Sequence, residues 1–108
     1  MSGEPSYLEL GVPDVAAASR FYGRLLGWSL PETGGQVDTP SLDVGVHGSD
    51  PERHFQVFFD VDDVAASRAV LADLGGEVIG DVHDEGSFGR FIECKDDQGV
   101  RFGLRSRP

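Results

Sequence analysis

The stretch Tyr7-Leu8-Glu9-Leu10-Gly11-Val12-Pro13-Asp14-Val15-Ala16-Ala17-Ala18-Ser19 decides the fold, because a matching stretch recurs later. The second copy reads His54-Phe55-Gln56-Val57-Phe58-Phe59-Asp60-Val61-Asp62-Asp63-Val64-Ala65-Ala66-Ser67. Asp14 maps onto Asp63 and Gly27 onto Gly75, a period of roughly 49 residues that marks one supersecondary unit used twice. In the first copy Leu8, Leu10 and Val12 fall on one face of a strand and Tyr7, Glu9 and Gly11 on the other. Pro13 ends the ladder by removing a donor. Asp14 then stands where an N-cap accepts from the first helical turn. Ala18, Phe21, Tyr22 and Leu25 have the spacing of an apolar helix face, and Gly27 suits the left-handed stop.

The second copy repeats this logic. Phe55, Val57, Phe59 and Val61 share one strand face, and His54, Gln56, Phe58 and Asp60 share the other. Asp63 is the expected cap, Val64, Ser67, Leu71 and Leu74 recur at helical spacing with Val70 alongside, and Gly75-Gly76 ends the helix. Phe21 and Tyr22 read as anchors of the first helix on a sheet, with Trp28 filling space beside them. Short extended pieces are expected near Trp28–Leu30, Gln36–Thr39 and Leu42–His47, and again near Glu77–Asp81, Phe88–Lys95 and Val100–Arg105. Asp96-Asp97-Gln98-Gly99 reads as a hairpin turn, and the polar run from His47 to Arg53 reads as the connector between halves. The fold class is therefore α+β: two βαβββ modules, about 6–47 and 54–105, within one domain over 1–108.

Composition narrows the function. There are 19 acidic residues against 9 basic ones, for a formal charge of −10. That surface repels phosphate backbones, which argues against nucleic acid and anionic membranes as partners. With 39% hydrophobic and 26% charged residues the chain has the composition of a globular domain. No apolar run nears the ~18 residues of a spanning helix, and MSGEPS lacks the charge and apolar stretch of a signal peptide. Cys94 is the single cysteine, so no internal disulfide forms, and a cytoplasmic location is the expectation.

The chain resembles the vicinal oxygen chelate superfamily of glyoxalases, bleomycin-resistance proteins and extradiol dioxygenases. The residues that carry the resemblance are Tyr-Leu-Glu-Leu-Gly-Val-Pro-Asp (7–14), Arg-Phe-Tyr-Gly-Arg-Leu-Leu-Gly-Trp (20–28), Val-Asp-Asp-Val (61–64), Leu-Gly-Gly (74–76) and Asp-Gln-Gly-Val-Arg-Phe-Gly-Leu (97–104). The resemblance implies sheets that curl into an open, U-shaped cavity, usually completed in a homodimer. It also implies four metal-ligand positions in the metal-bearing members. By motif register these fall on Tyr7, Gly45, Gln56 and Gly103, the Gly45 position resting on a match of Leu42–Val46 to Val100–Leu104.

Two glycines and a tyrosine make a poor donor set for a divalent ion, and the amide of Gln56 alone does not displace its water. The expectation is a cavity with no metal and no cofactor. A displaced metal site using Glu9, His47 or His54, with His83, Asp84 and Glu85 clustered in a loop, is the alternative. Without metal, Tyr7, Glu9, Gln56 and Phe58 line the cavity with Arg101 and Arg105 near its other wall, and Gly45 and Gly103 widen its floor for a flat ligand. Glu9 is the candidate catalytic carboxylate; its structural alternative is an ion pair with Arg101 or Arg105. The functional expectation is a protein that binds a small organic molecule for resistance or sequestration. The alternatives are a lyase, isomerase or dioxygenase-type enzyme using Glu9 or displaced metal, and a non-catalytic partner domain.

Overall fold

The computed structural model describes residues 3–37 and 39–108. Among the described residues two helices and seven strands follow one another: β1 (Pro5–Gly11), α1 (Val15–Leu26), β2 (Gly35–Val37), β3 (Asp43–His47), β4 (His54–Asp60), α2 (Val64–Asp73), β5 (Glu77–Asp84), β6 (Arg90–Lys95) and β7 (Arg101–Ser106). The ladders mix parallel and antiparallel pairing, as the α+β reading requires. No helix among the described residues is long and apolar enough to cross a membrane. Contacts divide the described residues into two compact units, residues 7–56 and residues 57–108 together with residues 3–6.

In the unit of residues 7–56, α1 begins where Asp14, in extended backbone, accepts from the Ala17 N–H at 3.2 Å. It ends at Gly27, whose φ of 75° needs no Cβ and whose N–H reaches the Gly23 carbonyl at 3.0 Å. β3 pairs parallel to β1, with Glu9 opposite Gly45 and Gly11 opposite His47, and β2 runs antiparallel on the far side of β3. Leu10, Val15, Leu30, Val37, Val44 and Val46 form the core, with Leu8, Val12, Tyr22 and Trp28 packed against it. The apolar strand face expected from alternation is thus the core face.

The other unit repeats the start of this pattern. Asp63 accepts from Ala65 and Ala66 at 2.9 and 3.3 Å to begin α2. The Gly76 N–H closes the helix on the Leu71 carbonyl at 2.9 Å. β7 runs parallel to β4, with Phe58 opposite Gly103, and β6 bridges antiparallel to both β7 and β5. Val64, Ile92 and Cys94 are the innermost side chains, packed by Val61, Leu71, Val78, Val82, Phe102 and Leu104. Burial raises the Cys94 thiol to about 11, with the Glu93 charge adding to it, so this thiol is inert packing.

Several expectations need correction. Trp28–Leu30 forms no strand, which leaves the first module as βαββ. Side chains hold this segment instead: Trp28 stacks on Tyr22 at 5.2 Å, Leu30 enters the core, and its carbonyl accepts the Ser19 hydroxyl at 2.5 Å. Pro31 then supplies no donor to extend a ladder. Of the expected strand Gln36–Thr39, Gln36 and Val37 belong to β2, Thr39 lies in no strand, and Asp38 lies outside the described residues.

The apolar helix faces are also turned. Phe21 and Leu25 are 61% and 65% exposed, and Leu74 and Val70 lie in solvent, while Val15, Ala18 and Val64 are buried. Tyr22 anchors α1 through Trp28 and an edge-on contact with Phe55, and the exposed Phe21 meets Tyr22 edge-on. Finally, β5 continues to Asp84, so His83 and Asp84 belong to a strand, with His83 stacked on Phe91 at 4.9 Å. Only Glu85 falls in the loop, ahead of a single 3₁₀ turn at Gly86–Phe88.

Candidate functional site

The parallel β1–β3 pair assembles the polar cluster of residues 7–56. Alternation puts Tyr7, Glu9 and Gly11 on the face opposite the core, and the register places Gly45 beside Glu9 and His47 beside Gly11. The Tyr7 hydroxyl donates to Glu9 Oε1 at 2.6 Å. The second oxygen, Oε2, bonds His47 Nδ1, and His47 Nε2 bonds Asp50 Oδ2 at 2.7 Å. Asp50 reaches back from the turn after β3, where Ser49 takes a φ of 57° and the Asp50 N–H bonds the Val12 carbonyl at 3.0 Å. Its other oxygen accepts from the Glu52 N–H at 2.8 Å.

Glycine makes this row possible. A Cβ at residue 45 would overlap the Tyr7 hydroxyl and stand 2.7 Å from Glu9 Oε1. A Cβ at residue 11 would overlap the Asp50 carboxylate and stand 3.0 Å from His47 Nε2. The expectation that Gly45 opens a floor for ligand is therefore corrected: the Tyr7 hydroxyl occupies the cleared space, and Tyr7 is only 8% exposed. Gly103 is corrected in the same way. The Phe58 ring lies over it, so that a Cβ there would overlap the ring, and Phe58 is 4% exposed.

The charges are arranged around His47. Partial burial pulls its pKa down, but the hydrogen bonds and charges of Glu9 and Asp50 outweigh this and raise it above the ordinary 6.5. The Glu52 N–H and then His47 hold Asp50 below its ordinary 3.8. The expected structural partner of Glu9 was an arginine; the structure supplies His47. Arg101 lies 3.6 Å from Glu93, and the Arg105 guanidinium sits 4.2 Å over the Phe88 ring. Phe88 and Phe91 both meet Phe58 edge-on, which makes the surroundings of Phe58 an aromatic cluster.

The metal-ligand quartet does not fit an ion. Residues 45 and 103 carry no donor and have no room for one, and the buried Gln56 offers an amide that lies 3.4 Å from His54 Nε2. Nor do Glu9, His47 and Asp50 form a converging set. The two imidazole nitrogens point away from each other, each toward a different carboxylate, so the three residues make a row.

Sequence reasoning joined His47 to Glu9 only as an alternative metal ligand, and it did not join Asp50 to either. Parity was the available signal for His47. Once Gly45 lies opposite Glu9, His47 must lie on the same face one step along. Asp50 carried no such signal, because a turn with a positive-φ serine brings it back.

An α+β chain with a repeated strand–helix unit, whose first and last strands pair in parallel within each repeat, defines a narrow class of protein. The model of the Glyoxalase/Bleomycin resistance protein/Dioxygenase superfamily matches residues 5–104, and the chain belongs to that superfamily. It is 31% identical over 129 residues to the anthracycline biosynthesis protein DnrV of Streptomyces peucetius, covering 94% of this chain and 46% of that protein. The chain thus spans about half the length of this curated relative. Methylmalonyl-CoA epimerase from Mycobacterium tuberculosis superposes with a TM-score of 0.69 at 15% identity, covering 97% of this chain and 88% of that one. Homoprotocatechuate 2,3-dioxygenase from Brevibacterium fuscum gives 0.71 at 20% identity, covering 98% and 38%. At these identities the two structures speak for the fold alone.

Proposed function

We propose that this protein binds a small organic ligand at the face of β1 and β3, with Glu9 as its polar anchor and no resident metal or cofactor. The observation that carries this reading is the Glu9 carboxylate itself. It is held at one oxygen by a phenol and at the other by an imidazole, and it remains part-exposed on a strand. A carboxylate fixed in this way presents a directional acceptor without reorganising, which is what orients a ligand in an apolar site. Tyr7 and Gln56 belong to this reading as hydrogen-bonding groups, and Gly45 belongs to it by clearing room for Tyr7. Within residues 57–108 the same reading assigns Phe58, over Gly103, and Arg101 to ligand contact. A cytoplasmic homodimer is part of the proposal.

The compound class in the name of the Streptomyces relative supplies the probe. Titration with an anthracycline, followed by its own fluorescence, should give saturable binding to the wild type. Binding should weaken roughly tenfold in Glu9→Gln, since a hydrogen bond to a charged group contributes ~1.5–3 kcal/mol. Turnover lost in that variant with binding retained would make the protein an enzyme using Glu9. Absence of saturable binding would count against the reading and favour a non-catalytic partner domain.

A further inference from the structure

We propose that Tyr7, Glu9, His47 and Asp50 form one proton relay, in which His47 loads and unloads the Glu9 carboxylate and exchanges with solvent. This inference rests on the reading of Glu9 as the working group of the site, and it adds to that reading how its proton is supplied. The geometry is continuous from a buried phenol to a turn at the end of β3, through both carboxylate oxygens of Glu9 and both ring nitrogens of His47. Two glycines on the same face clear the path, and a side chain at either position would displace a member of the row.

The transfer balances within the row. In one state His47 is an imidazolium, its Nδ1–H directed at the Glu9 carboxylate and its Nε2–H at Asp50. In the other the Nδ1–H bond has broken, its electron pair stays on Nδ1, and the proton forms an O–H bond on Glu9 Oε2. The sum of charges is unchanged, so Glu9 can act as acid or as base without leaving an isolated charge on a part-exposed face. Tyr7 donates to the other oxygen in both states. Asp50 keeps the Nε2–H in place and so orients the ring, as a carboxylate behind a working histidine does elsewhere. About half of the His47 side chain is open to water, which gives the row its exchange point. The groups facing His47 are Glu9 from β1 and Asp50 from the turn, and His54 from β4 lies near Asp50.

The test is nuclear magnetic resonance on the ligand-free protein, with ¹⁵N-labelled histidine and Tyr ring ¹³C labels, titrated over pH. The expected result is a His47 midpoint above 6.5 that falls in Glu9→Gln and in Asp50→Asn. The Tyr7 Cζ resonance should follow the same midpoint in the wild type and lose that inflection in Glu9→Gln. A merely structural clamp would move the His47 midpoint and leave Tyr7 silent. A Tyr7 signal with no inflection at the His47 midpoint, or a midpoint unmoved in both variants, overturns the proposal. If Glu9→Gln does not fold, the wild-type Tyr7 trace and the Asp50→Asn midpoint decide it. Because no ligand is present, failure of the anthracycline titration leaves this test intact, and the reverse also holds.

Discussion

Gly45 shows what a single missing side chain does here. The Tyr7 hydroxyl reaches Glu9 only by passing over residue 45, and an added methyl group there would overlap that hydroxyl and crowd the Tyr7 Cζ at 2.8 Å. Gly45→Ala should therefore destabilise the protein by ~1–3 kcal/mol, the usual cost of overpacking a filled site. Tyr7→Phe removes the overlapping oxygen, so in that background the same substitution should cost less, a coupling that urea unfolding of the four proteins measures directly. Additive effects would mean that Tyr7 does not occupy the space. The sequence revealed the glycine and its position opposite the working strand, yet suggested an open floor. Composition cannot tell a cleared space from an empty one, because the long side chain that fills it starts on another strand.

At the level of elements, legibility followed the locality of the signal. Both helix starts were readable because each Asp cap acts on backbone two or three residues away, and each such cap contributes ~1 kcal/mol. Strand identity was readable from alternation, and the parallel register then set Glu9 against Gly45 and Phe58 against Gly103. The buried stripe of α1 was not readable. Ala18, Phe21, Tyr22 and Leu25 satisfy helical periodicity, but so does the stripe through Val15, Ala18 and Tyr22, and only packing against Leu30 and Trp28 selects between them. The difference has a measurable consequence. Phe21→Ser, on the exposed side, should change stability by no more than about 0.5 kcal/mol, whereas Ile92→Ala, at a position 0% exposed, should cost ~2–5 kcal/mol. Denaturant midpoints of the two variants check this, and a large loss in Phe21→Ser would restore the stripe that the spacing suggested.

For the whole molecule the governing quantity is charge. A chain with a formal charge of −10 carries self-repulsion at neutral pH, and His47, set between two carboxylates, locally offsets it when protonated. The sign of the pH dependence follows from the two shifts. His47 binds its proton more tightly in the folded state, so its contribution is fully present below 6.5 and is lost as pH rises through the raised folded value. Asp50 is shifted the other way: its contribution is present above 3.8 and is lost as pH falls through its lowered folded value. The stabilisation by the row should therefore be greatest between about 3.8 and 6.5 and decline on either side. Urea unfolding of the wild type and of His47→Gln at a series of pH values isolates this contribution, since the other acidic groups are common to both proteins. The stability difference should be widest inside that window and should narrow above it as His47 loses its proton. It should shrink in high salt only modestly, because Glu9 and Asp50 hold the imidazole by direct hydrogen bonds as well as by charge. A difference that instead grows as the solution is made alkaline would mean that neutral His47 is the form the fold prefers, and the imidazolium row would have to be abandoned.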